Sequence, residues 1–310
     1  MNEQPIAFTH PPGEYVVVRN KRLWIERHGI GDPVLMLAGF GPAGSHVIFH
    51  PHLDSLAEDY HVVYVDLFGR GRSDSPDDLS EISFDSDVAD VAELLRILNL
   101  GPVHLYGFSY GGLVAQALAI DHRTLVRSVV LANSLSSPEM WQKNHENVNR
   151  EIATQCPEIW ERIQSLRATG ARSTDLRVGK LFGQAARLVR FFNPDKASDV
   201  ANEPGARNVD LYPVFCGEDV DFIIGGQLPD IPDFRPQLCD LSIPLLVLGG
   251  RFDRALHPAM QRDLLRYAKD AELHILERSG SFSHVEEPDE VKRIVVDFWR
   301  RTPGGAESHR

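Results

Sequence analysis

Val103-His104-Leu105-Tyr106-Gly107-Phe108-Ser109-Tyr110-Gly111-Gly112 is the stretch that decides the fold. An apolar run stops at a G-x-S-x-G pentapeptide, and Leu113, Val114, Ala115, Ala117 and Leu118 then continue, without proline, as a buried helix. A serine hydroxyl is a weak nucleophile. A catalytic one has to be held clear of its neighbours, beside a base and beside donors that stabilise an oxyanion. A sharp strand-to-helix elbow does this by forcing the serine into a strained backbone conformation, and glycines two positions to either side leave room for the turn. The plain alternative is a turn whose serine only caps the helix. The pentapeptide alone does not separate the two, whereas the strand before it, the helix after it and the partners found downstream favour the catalytic reading.

On the N-terminal side, residues 15–19 and 23–26 read as a hairpin turning near Asn20-Lys21, and 34–37 and 62–65 as buried strands. Val88, Val91, Ala92, Leu94, Leu95 and Leu98 recur at helical spacing, with Ser83 or Asp85 as cap and Gly101-Pro102 as stop. A strand over 126–132 follows the Ser109 helix. Strands alternating with helices predict an α/β fold with a mainly parallel, doubly wound sheet, whose ligand site lies at the strands' carboxyl ends. Ser109 and the loop Ala38-Gly39-Phe40-Gly41-Pro42 both fall on that edge, and so Gly- and Pro-rich a loop can turn backbone N–H groups toward a ligand.

The alternation breaks after Ser134. Residues 138–155, 157–168 and 173–192 read as helices, 193–239 as irregular, and the sheet pattern returns at 244–248 and 272–276. A helix near 258–268 separates these two strands. A last helix follows with Val291, Ile294, Val295 and Phe298 on one face. The expected organisation is a first core part over 1–134, a mainly helical cap over 135–238 and a second core part over 239–310. Helices inserted between strands in this way commonly form a lid.

The 310 residues carry a formal net charge of −12, which disfavours nucleic acid and anionic membranes as partners, since both call for a basic surface. Met1-Asn2-Glu3-Gln4-Pro5 does not open a signal peptide, and no run approaches the ~18 apolar residues of a membrane span. Cys156, Cys216 and Cys239 are scattered without ligand spacing, as free thiols in a reducing compartment would be. A cytoplasmic protein acting on a small molecule is expected, with its oligomeric state left open. His46, His50 and His52 include an i, i+4 pair, but Pro51 interrupts the helix and no carboxylate–His pattern accompanies them. The sequence therefore argues against a metal site there, and neither metal nor cofactor is expected. Asp66-Leu67-Phe68-Gly69-Arg70-Gly71-Arg72-Ser73-Asp74 lacks the lysine, the hydroxyl residue and the following helix of a phosphate loop, and reads as a tight structural turn.

A nucleophilic serine needs a histidine base and a carboxylate to orient the ring. Asp253 follows the strand that ends near Leu248, and His284 the strand that ends at Leu276, so both reach the edge that carries Ser109. Taken singly, Asp253 could be a turn residue and His284 a surface-loop histidine. Three such placements on one sheet edge, in the order Ser, Asp, His, are the arrangement of an α/β-hydrolase.

Over nearly its whole length the chain resembles the α/β-hydrolase superfamily, and within it the proline iminopeptidase-like serine hydrolases. The resemblance rests on the Ser109 elbow, on Gly39-Phe40-Gly41-Pro42 followed by Ser45-His46, and on Gly69 to Asp74. Gly250-Arg251-Phe252-Asp253, His284-Val285-Glu286-Glu287-Pro288 and the stretch from Phe215-Cys216-Gly217 to Gly226-Gln227-Leu228 complete it. It implies Ser109 as nucleophile, Asp253 as acid, His284 as base, and the amides of Phe40 and Tyr110 as oxyanion hole. Departures accompany it: Ala38 stands where the family usually has the His of His-Gly-Gly-Pro-Gly, and the loop is one residue longer before Ser45-His46. Asp221 stands near the place of the aminopeptidases' amine-binding glutamate, one carbon shorter, with Glu218 beside it. No Trp/Glu segment of the early cap is found.

The expected activity is that of a cofactor-independent serine hydrolase cleaving a small amide or peptide with a free amino terminus through an acyl-enzyme. A carboxylesterase, a lactonase or a natural-product tailoring hydrolase is the near alternative. A small-ligand receptor or a lyase on the same fold is the alternative of another class.

Overall fold

A computed structural model describes residues 8–268 and 270–302. The stretch 1–5, read above as not opening a signal peptide, lies outside the described residues, as do residues 303–310. The strands are β1 (Gly13–Val18), β2 (Lys21–His28), β3 (Pro33–Leu37), β4 (His61–Val65), β5 (Val103–Phe108), β6 (Val126–Ala132), β7 (Leu245–Gly250) and β8 (Glu272–Leu276). They form one eight-stranded sheet in the order β1-β2-β4-β3-β5-β6-β7-β8. The pairs β1/β2 and β2/β4 are antiparallel and all others parallel. The strand order doubles back between β3 and β4, so β5 is central and its carboxyl end opens on the crevice where doubly wound sheets bind ligands.

Side chains alternate across the sheet, as a period of two requires when both faces are covered. Leu35, Leu37, Val63, Val65, Val103, Leu105, Val129, Leu131, Leu245 and Val247 join the core that packs α1 (Phe84–Leu98) and α2 (Tyr110–Asp121). Their neighbours Val34, Met36, Val62, Tyr64, Tyr106, Phe108, Val130, Ala132, Leu246 and Leu248 join a second core on the opposite face. α1 begins at Ser83, whose Oγ accepts from the Ser86 amide at 3.1 Å while Ser86 Oγ accepts from the Ser83 amide at 3.0 Å, a reciprocal cap. It ends at Asn99 in the left-handed region, φ 49°, two residues before the Gly101-Pro102 stop read from the sequence.

Between β6 and β7 lie α3 (Pro138–Gln155), α4 (Pro157–Ala168), α5 (Leu176–Arg190), α6 (Leu211–Cys216) and α7 (Arg235–Leu238). Val148 and Ile152 of α3, Ile163 of α4, and Leu181, Ala185 and Val189 of α5 form a core cluster of their own. The first two helices keep the bounds expected from the sequence. α5 starts later than expected because Asp175, not Ser173, caps it, and the stretch read as irregular holds the short helices α6 and α7. After β7 come α8 (Pro258–Leu264), shorter than its apolar pattern suggested, then α9 (Ser283–Glu286) and α10 (Pro288–Arg301). Val291, Ile294, Val295, Phe298 and Trp299 of α10 cover the second face of the sheet. No helix among the described residues is long and apolar enough to cross a membrane.

His104 on β5 is buried against Tyr60 and Trp299, and its Nδ1 lies 2.7 Å from Ser128 Oγ. Burial lowers its pKa to about 4. The folded protein therefore leaves this ring neutral at a pH where the unfolded chain protonates it. Its stabilising contribution is full above the ordinary histidine value of ~6.5 and is lost as pH falls through about 4. Urea denaturation from pH 7 to pH 4 is expected to show a stability that declines less steeply in His104→Gln than in the wild type. Identical slopes in the two proteins would remove His104 from the acid sensitivity.

Candidate active site

Ser109 is the first residue past β5, with φ 52° and ψ −117°, and its side chain does not cap α2. The conformation is costly for a residue with a β-carbon and persists because its surroundings fix it. The Ser109 amide donates to Ala132 O at 3.0 Å, and its carbonyl accepts from the Gly112 amide at 2.9 Å and from Ser134 Oγ at 2.7 Å. The flanking glycines are steric requirements. A β-carbon at Gly111 would lie 2.0 Å from Leu37 O, and one at Gly107 would lie 2.6 Å from Gly111 O. The strand-to-helix crossing is this tight because the loop after β3 runs directly against it.

That loop places Phe40 at φ 81°, ψ 53°. A β-carbon at Gly39 would lie 2.5 Å from Ser109 Cβ, so the Gly39-Phe40 backbone abuts the serine itself. Phe40 O accepts from Tyr212 Oη at 2.8 Å, and the Phe40 ring sits under the Arg207 guanidinium and against Phe282. Tyr110 is buried, and its hydroxyl donates to Asp87 Oδ2 at 2.6 Å. The same carboxylate takes both Nη atoms of the buried Arg70 at 2.8 Å, while Arg70 Nε donates to Pro42 O at 2.8 Å. One Arg–Asp pair thus ties the loop that carries Phe40 to the helix that starts with Tyr110. Sequence reasoning assigned Arg70 only to a tight turn and missed Asp87, although a lone arginine between two turn glycines is a signal for a buried tie. Tyr212 carried no signal at all.

Asp253 is buried, and its Oδ1 accepts from the amides of Ala255 (3.0 Å) and Leu256 (2.9 Å) and from Ser281 Oγ (2.8 Å). Its Oδ2 accepts from Asn133 Nδ2 at 3.2 Å, and that amide also donates to Gly280 O at 3.0 Å. Asn133, with φ 43° just past β6, therefore stitches together the loops after β7 and β8. His284 is buried among Phe108, Phe49, Phe282 and His52, its ring centroid 4.6 Å from that of Phe108. Its Nε2 lies 3.2 Å from Ile48 O, and its Nδ1 has no hydrogen-bond partner. The ring is thus turned to Ile48, and no hydrogen bond among the described residues joins it to Asp253 or to Ser109. Burial, with His52 second, lowers its pKa to about 3. Glu286 and Glu287, the other acids nearby, are taken up by the Gly280 and Asn193 amides and by the Arg278 amide and Ser279 Oγ.

Asp221 is partly exposed and lies 3.6 Å from His145 Nδ1. Burial lowers the pKa of His145 to about 3, so the contact is not an ion pair at neutral pH, and burial raises that of Asp221 to about 6. Glu218 does not join this group: it is exposed and engages Thr174 only through its backbone carbonyl. Asp219 is taken up by Arg167, at 2.9 Å between Asp219 Oδ2 and Nη2.

His46 and His50 do come together although Pro51 interrupts the helix, and a carboxylate joins them that the sequence did not show: their partners are His10 and Glu26 rather than His52. They meet because both lie along a single-turn helix, 46–49 and the residue after it, which packs against β2. His52 turns instead to Asp199 O at 2.9 Å. Burial alone would raise the Glu26 carboxyl, but its contacts with His46, His50 and His10 outweigh it and hold the group well below the carboxylate range. Burial likewise opposes charge on His46, yet Asp66 and Glu26 raise it to about 9.

A family profile described as the alpha/beta hydrolase fold matches residues 32–288. A proline iminopeptidase of Heyndrickxia coagulans is 28% identical over 281 residues, 88% of this chain and 92% of that protein. The solved proline iminopeptidase of Mycobacterium smegmatis superposes with a TM-score of 0.76 at 18% identity, over 93% of this chain and 98% of that one. A thermophilic esterase from Thermogutta terrifontis gives 0.67 at 19% identity, over 93% and 98%. With the profile spanning most of its length, the chain belongs to the alpha/beta hydrolase family.

Proposed function

We propose that the protein is a cofactor-independent serine hydrolase that cleaves a small-molecule amide or peptide, in the manner of a proline iminopeptidase, through an acyl-enzyme. The observation that carries this reading is the strained Ser109 at the end of the central strand with the Gly39-Phe40 backbone packed against its β-carbon. Ser109 Oγ attacks the scissile carbonyl while the amides of Phe40 and Tyr110 receive the oxyanion. His284 takes the serine proton and passes one to the leaving amine; water then repeats the cycle on the ester.

For this His284 turns from Ile48 O to the carboxylate of Asp253. Asp253 Oδ1 already accepts three hydrogen bonds, whereas Oδ2 accepts only the Asn133 amide and keeps room for an imidazole N–H. Contact with that charge raises the basicity of a ring that burial alone leaves at about 3, toward the range in which general bases work at neutral pH. Residues 135–238 act as the cap over this edge; the apolar cluster of α3, α4 and α5, which Ala255 joins from the loop after β7, and the Tyr212 bond to Phe40 O support that role. In the cap Asp221 receives the substrate's ammonium group, for which the neutral His145 leaves it free. A second reading, an esterase or lactonase acting on a neutral substrate, draws on Ala38 in the family's histidine position and on the weak acidity of Asp221, pKa about 6, which lessens its pull on a cation.

Ser109→Ala is expected to keep the fold and to lower hydrolysis by ~10⁴-fold or more, and Asp253→Asn to lower kcat by a similar order, because an amide holds the ring in the wrong tautomer. Steady-state kinetics with a fluorophosphonate label as a second readout checks both; activity surviving in Ser109→Ala would end the nucleophile assignment.

Substrate class is tested in the cap. Asp221→Asn is expected to reduce kcat/KM for aminoacyl amides about tenfold or more while sparing N-acylated amides and simple esters of the same size. An ammonium sheltered with its carboxylate loses far more than the ~0–1 kcal/mol of an exposed pair. Equal effects on all three substrates would discard the aminopeptidase reading and favour the esterase one.

A further inference from the structure

Four ligating side chains outside the catalytic edge converge on one point: His10, ahead of β1; Glu26, on β2; and His46 and His50, from the single-turn helix after the Phe40 loop. His46 and His50 are fully buried, as is Glu26, and His10 is 15% exposed. The separations of the converging atoms are 3.4 Å for His10 Nδ1 to His46 Nε2 and 3.0 Å for His10 Nδ1 to Glu26 Oε2. Those of His46 Nε2 to Glu26 Oε1 and His50 Nε2 to Glu26 Oε2 are 3.0 and 3.5 Å. A tetrahedral zinc ion with ligands at ~2.0–2.1 Å places its ligand atoms about 3.3–3.4 Å apart, and the four residues offer one ligand atom each within 4.8 Å of one another, so a small inward shift brings them onto such a polyhedron.

The outer nitrogens are arranged as a metal site requires. His10 Nε2 lies 3.0 Å from Glu203, His46 Nδ1 2.8 Å from Asp66 and His50 Nδ1 2.5 Å from Asp54. Each ring therefore has a carboxylate behind it that holds the outer N–H, and the inward nitrogen becomes a lone-pair donor when a metal ion displaces its proton. Glu26 Oε1 meets Trp24 Nε1 and Arg72 Nη1, both at 3.1 Å, as well as His46, and Oε2 faces His10 and His50. His50 Nε2, wholly buried and aimed into the group, has no hydrogen-bond partner. Four carboxylates, those of Glu26, Asp54, Asp66 and Glu203, surround the point, and among the described residues Arg72 brings a guanidinium into contact with it.

We propose that His10, Glu26, His46 and His50 bind a divalent transition metal of the zinc class in a closed, four-coordinate structural site. All four positions are filled by protein, so the ion has no open place for a substrate or an activated water, and its part is to hold three stretches of chain together. The sequence hides such a site because its ligands come from positions 10, 26, 46 and 50, with no short ligand spacing beyond one i, i+4 pair.

The test uses the full chain without a histidine tag, stripped with a chelator, incubated with zinc chloride and passed over a desalting column. Metal analysis is expected to return about one zinc per chain for the wild type and less than a tenth of that for His10→Ala and for His50→Gln. His10→Ala lies on the partly exposed side of the cluster, and circular dichroism confirms that each variant is folded. Zinc is also expected to raise the thermal midpoint of the wild type and of neither variant, and cobalt to give the visible bands of a tetrahedral centre only in the wild type. A wild type that retains no zinc would overturn the proposal and leave an ion-pair network. Equal uptake by all three proteins would overturn it as well and place the metal elsewhere.

Discussion

The left-handed turn at Ser109 is the constraint to which the rest of the sheet edge is fitted. A residue with a β-carbon at φ 52° is unfavourable by an amount on the order of 1–3 kcal/mol, and nothing local compensates for it. The compensation comes from elements far away in sequence: β6 through Ala132 O, Ser134, two residues past it, through its Oγ, and the end of β3 through the close passage of Leu37 O and Gly39. The close passage of β3 and its loop needs missing side chains at Gly111 and Gly39. Flat packing of this kind is possible only where parallel strands end together, which is why the serine sits at the middle of the sheet.

Around this point the buried Arg70–Asp87 pair does for the loop that carries Phe40 what the glycines do for the elbow. A buried ion pair is weak evidence for stability in itself, since desolvation offsets much of the attraction. Here its hydrogen bonds are saturated: Arg70 reaches Pro42 O, Phe68 O and both oxygens of Asp87, and Asp87 also takes the Tyr110 hydroxyl. What it supplies is position. The amides of Phe40 and Tyr110, the proposed oxyanion donors, belong to the loop after β3 and to the start of α2, and two donors can share one oxyanion only if these two keep a fixed distance. The pair connects them through a rigid fork that lysine could not replace.

The sheet, the elbow and the helices at 138–155 and 157–168 were legible in the sequence because each is written in local terms, as an apolar period, a glycine spacing or a proline start. Residues 193–239 were not legible, since α6 and α7 are too short to show a period and are held by tertiary contacts such as Tyr212 to Phe40 O. Ser109, Asp253 and His284 could be placed on one edge from strand ends alone. The orientation of the His284 ring could not, because it depends on Ile48 O, 236 positions earlier in the chain. Asn133 and Ser281 escaped notice for the same reason: a polar residue after a strand looks like any loop until the carboxylate it serves is known to be adjacent. Glu26 shows the limit of pattern reading most plainly. It stands at an inward-facing position of β2, where a charge is expected to be excluded, and only the fold brings His46 and His50 to it.

The turn that holds His46, Ile48 and His50 connects two features that look separate. Its histidines point to Glu26 on one side, while the Ile48 carbonyl holds His284 Nε2 on the other. A carbonyl accepts only from a protonated ring nitrogen, so this bond fixes the tautomer with the proton on Nε2 and leaves Nδ1 bare and buried. That tautomer suits neither neighbour in the proposed reaction, which needs Nδ1–H toward Asp253 and a free Nε2 toward Ser109. The ring has to give up the Ile48 bond before it can act, and a buried bond gained and lost in this way is worth ~1 kcal/mol, small enough for substrate binding to outweigh. How firmly the 46–50 turn is anchored therefore sets how well the resting position competes with the working one, and the Glu26 cluster provides that anchor from the far side of the loop that carries Phe40.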